Sequence, residues 1–148
     1  MVFNYSEKGF TLVELLVSVG ILSLIAFISV PVYQSLIFNL DLSAATRLIA
    51  SDLRYAQQLA VTTQDNYQVI FTTSSQSYRI KDAVTGTTTK TALINAPVYI
   101  VAINNLPNNT VTFIATGAAT STGTIVLSNP NNRTSTIEIK PSGYVKIQ

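Results

Sequence analysis

The sequence predicts an α+β protein: a long N-terminal helix packed on a small antiparallel β-rich head of two sheets. Three observations carry this reading. No charged residue lies between Glu14 and Asp41. From Asp41 to about Val61 apolar residues recur at helical spacing, and after Thr63 short β-branched and aromatic runs alternate with turn-forming residues. The chain divides accordingly into a polar leader (1–9), a transmembrane half of the helix (10–40), an amphipathic half (41–63) and the head (64–148).

The chain has 148 residues, enough for one domain and an anchor, with a formal net charge of +2 and 11% charged residues. The apolar excess concentrates in residues 10–38, and the rest is rich in Thr, Ser and Asn. There is no cysteine and no histidine, which excludes disulfides, Cys or His metal sites and the catalytic dyads that need either residue. The carboxylates beyond Glu14 are Asp41, Asp52, Asp65, Asp82 and Glu138, and none pairs at a spacing that suits acid–base chemistry. Asp65 and Asp82 are expected to cap loops rather than to hold a calcium ion. No phosphate-cradling glycine loop is present. The sequence therefore predicts no catalysis, no cofactor and no metal.

The uncharged run exceeds the ~20 residues that span a bilayer and is too long for a cleaved secretory signal. By composition alone it suits a plain single-span, membrane-anchored surface protein. The order of features points elsewhere. The one suitable cut site, Gly9–Phe10, precedes the apolar run, so cleavage there keeps the helix and makes Phe10 the new terminus. Glu14 then has a prospective counter-charge. A lone carboxylate in hydrocarbon is costly, and the amine of Phe10 can approach Glu14 of its own helix or of a neighbour. Between subunits such a pair would set axial register. Pro31 lacks an amide proton and is expected to kink or loosen the helix around Phe27–Pro31. Gly20 and Ser23 offer small surfaces for helix packing.

The amphipathic half places Leu42, Ala45, Ile49, Leu53, Ala56 and Ala60 on one stripe, with Arg47, Asp52 and Arg54 expected outside it on a solvated face. In the head, strands are expected at 66–72 and 75–81, around a Thr-Thr-Ser-Ser turn. Residues 82–91 read as a polar loop, 97–104 and 110–115 as strands, and 117–123 as a small, flexible segment. Strands at 124–128, 135–140 and 144–148 close the chain, joined by turns rich in Pro, Asn and Gly.

The run from Lys8 through Gly9, Phe10 and Glu14 to Pro31 resembles the prepilin-type N-terminal signature of type IV pilins and type II secretion pseudopilins. The helix end and first strand (50–71), with the closing strands (123–147), resemble the GspH- and FimT-like minor pseudopilins. The resemblance implies cleavage after Gly9, N-methylation of Phe10 by a prepilin peptidase, and assembly with other pilin or pseudopilin subunits through the helix, with Glu14 and Pro31 as assembly positions. It also implies a single-pass precursor in inner-membrane lipid, its head on the periplasmic side, and then a place in a pilus or pseudopilus. FimT-like members are implicated in DNA uptake through a C-terminal Gly followed by Arg-x-Arg. Here the match is Gly143-Tyr144-Val145-Lys146, which makes Arg133, Lys140, Tyr144 and Lys146 the candidate DNA contacts, with Tyr144 in place of the first Arg. The expected function is a non-enzymatic minor pilin or pseudopilin. A DNA-binding minor pilin for natural transformation and a plain anchored surface protein are the alternatives.

Overall fold

The structure is a computed structural model that describes residues 9–148; most of the expected leader, residues 1–8, lies outside the described residues. Helix α1 runs Leu12–Thr63. Two compact units divide the chain, the first ending at Leu36 and the second beginning at Ile37.

In the first unit every described residue is exposed. The helix here is long and apolar enough to cross a membrane. Three of its serines satisfy their hydroxyls internally: Ser18, Ser23 and Ser29 each donate to the carbonyl four residues back, at 2.8 Å. In hydrocarbon, where water is absent, that internal bond removes the desolvation cost. Pro31 sits inside the helix, which continues through it unbroken; the expected loosening does not end the element.

The second unit joins the rest of α1 to eight strands. These are β1 (Tyr67–Thr72), β2 (Ser77–Asp82), β3 (Thr88–Leu93), β4 (Tyr99–Asn104), β5 (Thr110–Phe113), β6 (Gly123–Ser128), β7 (Thr134–Ile139) and β8 (Val145–Ile147). They form two four-stranded antiparallel sheets, in the orders β3-β2-β1-β5 and β4-β6-β7-β8. Alternation decides what each strand buries. On the first sheet Tyr67, Val69, Phe71, Tyr78, Ile80, Val111 and Phe113 point inward, and on the second Ile100, Ile125, Leu127, Ile137, Ile139 and Val145 do so. One core contains both sets together with Leu42, Ile49, Leu53, Ala56 and Ala60 of the helix. Ala45, the remaining member of the stripe, is partly buried against it.

Strand β3 corrects the sequence reading, which placed its first four residues in a polar loop. Thr88–Leu93 is an edge strand paired with β2, with Tyr78 opposite Ala92. An edge strand with one solvated face needs no apolar alternation, and threonine is a good strand former, so composition hid it. The segment expected to be small and flexible is held as well. Ile114 donates to Ala118 O, Gly117 to Ile114 O and Ala119 to Pro141 O, and Phe113 bridges Ala119.

Two glutamines tie elements together. Gln76, in the β1–β2 turn, accepts from Ile100 N through Oε1 (2.6 Å) and from Ile94 N through its carbonyl (2.7 Å), linking the first sheet's turn to β4 of the second. Gln57 on α1 donates to Gly117 O at 2.7 Å. Gly143 presses into the same place with φ +78°, and a Cβ there would collide with the Gly117 carbonyl and the Gln57 amide.

Gly86 has a similar φ, +74°, but open space around it. Gly86→Ala should therefore cost about 1 kcal/mol, the backbone term alone. Gly143→Ala should cost at least ~2 kcal/mol, because a backbone clash adds to that term. Urea titration of the detergent-solubilised chain measures both; equal costs would refute the packing role of Gly143.

Candidate functional site

The first candidate is the N-terminal segment. Gly9 and Phe10 are exposed, Phe10 at 80%. Thr11 opens the helix: its Oγ1 accepts from Glu14 N at 3.3 Å and its carbonyl accepts from Leu15 N at 3.2 Å. Thr11 is thus the N-cap and Glu14 the third helical residue, the spacing of a capping box. The Glu14 carboxylate therefore lies in the first turn, where unpaired amides and the positive end of the helix dipole favour an anion. Reading the sequence for a counter-charge overlooked this. The signal was present as Thr-x-x-Glu.

The second site was missed and corrects an expectation. Asp52, read as part of a solvated face, is buried at 5% exposure. Its Oδ1 pairs with Lys90 Nζ at 2.7 Å and its Oδ2 accepts from Tyr78 Oη at 2.5 Å. Lys90 lies opposite Ile80 on β3, which turns it toward the core side of the sheet. A helix carboxylate, a central-strand phenol and an edge-strand amine thus cross-link three elements. Both oxygens are satisfied, as a buried charge requires. Burial, then the hydrogen bond to Asp52 and its charge, push the Tyr78 phenol well above its usual range. Arg54 is exposed as expected, yet its guanidinium donates to Val145 O at 3.0 Å and holds the last strand.

Asp82 is a loop cap. It accepts from Val84 N (2.7 Å), from the Thr85 hydroxyl (2.8 Å) and from Thr85 N (3.2 Å). The Val84 amide and the Thr85 hydroxyl lower its pKa. Among the described residues no group of three acidic side chains is placed to hold a metal ion.

The candidate DNA contacts fall in two places. Lys140, Tyr144 and Lys146 belong to the β7–β8 hairpin, whose turn is closed by Gly143 N donating to Lys140 O and Lys140 N donating to Tyr144 O. Lys146 stands opposite Glu138, which also accepts from Gln148. Arg133 precedes the other end of β7, about 20 Å away at ~3.3 Å per residue. The hairpin thus gathers two cations and an exposed tyrosine beside one carboxylate, and leaves Arg133 apart.

An exposed apolar helix with a capped acidic start, continuing into a helix-on-two-sheets head, defines the class: a pilin-like subunit. The profile of the family described as type II transport protein GspH matches residues 45–143, and that of the prokaryotic N-terminal methylation motif matches residues 4–30. The chain belongs to the GspH family of minor pilins and pseudopilins, structural filament subunits rather than enzymes. Its methylation motif implies processing by a prepilin peptidase. The type IV minor pilin FimU of Pseudomonas aeruginosa has the same fold, with TM-score 0.63 and 14% identity over 74% of this chain and 90% of that one. So does the minor pseudopilin EpsH of the type 2 secretion system of Vibrio cholerae, with TM-score 0.63 and 8% identity over 73% and 96%. A search of curated protein sequences gives no significant match.

The phenol makes alkaline stability a test of the buried network. The unfolded tyrosine ionises near 10 and the folded one far higher, so the folded chain keeps a proton that the unfolded chain loses. Stability is full below pH ~10 and should fall as pH rises above it. Tyr78→Phe should cost about 1–3 kcal/mol at neutral pH and flatten that fall. An unchanged alkaline slope in denaturation at pH 9–11 would exclude Tyr78 as its origin.

Proposed function

We propose that this chain is a minor, non-enzymatic subunit of a type IV pilus or type II secretion pseudopilus, cut after Gly9, methylated on Phe10 and anchored in the inner membrane before assembly. The observation that carries this is the N-terminal arrangement. A glycine–phenylalanine junction stands one residue before a capped helix start, with Glu14 in the first turn and an exposed apolar helix behind it. Cleavage would place a positive amine within one turn of the Glu14 carboxylate. The head would lie on the periplasmic side.

Glu14 has two roles to separate, capping and charge. Glutamine keeps the capping-box geometry and removes the charge. Mass spectrometry of the mature protein should find N-methyl-Phe10 as its first residue. Glu14→Gln and Glu14→Leu should both insert into the membrane and both fail to join filaments. Retention of the leader refutes the processing, and incorporation of Glu14→Gln refutes the charge pairing.

A second reading, a DNA-binding minor pilin, draws on the joint placement of Lys140, Tyr144 and Lys146 on one hairpin. Under that reading a gel shift with duplex DNA at low salt should weaken as salt rises and disappear in Lys140→Ala/Lys146→Ala. No shift at low salt removes it.

A further inference from the structure

The outer face of the first sheet differs in chemistry from both the N-terminal helix and the β7–β8 hairpin. Since Tyr67, Val69, Phe71, Tyr78 and Ile80 point inward, the alternate residues point out. Register aligns them in two rows. Lys81 pairs with Gln68, and Gln68 with Thr112. Arg79 pairs with Ile70, and Ile70 with Thr110. Strands lie about 4.8 Å apart, so two cations, one isoleucine and a band of hydroxyl and amide groups share a strip roughly 10 Å wide.

At the β5 side the strip deepens into a cleft of about 360 Å³ lined by Gln68, Asn108, Thr110, Thr112, Thr120 and Ser121. That volume lies within the ~300–1,000 Å³ of small-molecule clefts. Among the described residues neither Arg79 nor Lys81 has an ion-pair partner. The single carboxylate in these four strands, Asp82, is held by its own turn and stands opposite the inward Tyr67.

We infer that this face binds an anionic polysaccharide, a saccharide chain bearing carboxylates. The cleft's hydroxyls and amides match sugar hydroxyls as donors and acceptors, and Arg79 and Lys81 match the carboxylates. Single-stranded nucleic acid fits less well. It uses aromatic platforms for stacking, and the aromatics of this sheet, Tyr67, Phe71, Tyr78 and Phe113, are all buried on the opposite face.

The test is binding of the full chain in detergent micelles to three immobilised probes: polygalacturonate, neutral dextran and a 20-nucleotide oligo-dT. Polygalacturonate should bind, more weakly as salt rises. Arg79→Gln/Lys81→Gln should weaken it at least tenfold, and Thr112→Val, which keeps both charges, several-fold. Lys140→Gln/Lys146→Gln should leave it unchanged, and circular dichroism should show each variant folded. No binding to polygalacturonate at low salt overturns the proposal. So does wild-type affinity in the Arg79/Lys81 double variant, equal binding to dextran, or tighter binding to oligo-dT.

Discussion

An apolar helical surface has to be covered, and in this chain one helix meets that requirement in two ways. From Ile37 onward the stripe of Leu42, Ile49, Leu53, Ala56 and Ala60 is covered by the chain's own sheets. Among the described residues, those from Gly9 to Leu36 are all exposed. A bilayer or partner helices can take such a surface. The back-bonded serines suit both, because their hydroxyls ask for no outside partner.

Polar groups within this scheme are placed where the backbone or a partner compensates them. Glu14 is tolerable at the helix start because the first turn has unpaired amides, before any counter-charge is considered. Asp52 is tolerable in the core because Lys90 and Tyr78 occupy both of its oxygens. The first depends on local sequence alone. The second needs a strand 26 residues away and an edge strand 38 residues away.

That difference explains what was legible. The helix, its buried stripe, the β1–β2 hairpin and the closing strands were readable because each rests on periodicity within a short window. Strand β3 was not, since threonine-rich edge strands and loops share a composition. Losing β3 also hid Lys90, and without Lys90 the burial of Asp52 had no rationale. Gln57 and Gln76 carry no periodic or motif signal, although each closes a long-range bond to the backbone. Gly143 read as the start of a DNA-binding motif. Its φ and its contact with Gly117 and Gln57 show a packing requirement at that glycine, whatever the hairpin binds.

By itself the sequence determined the long helix with its change from apolar to amphipathic character, the N-terminal methylation motif, and a head built of short antiparallel strands. These follow from residue order, because helix period, strand alternation and capping act over a few residues. Only the tertiary structure decided how eight strands divide between two sheets and that Asp52 is an internal cross-link. It also decided that Arg133 stands apart from the Lys140–Lys146 hairpin, and that Arg79 and Lys81 share a face with a polar cleft. Those depend on which strands become neighbours, and pairing over long sequence separations is set by burial of the whole core rather than by any local pattern.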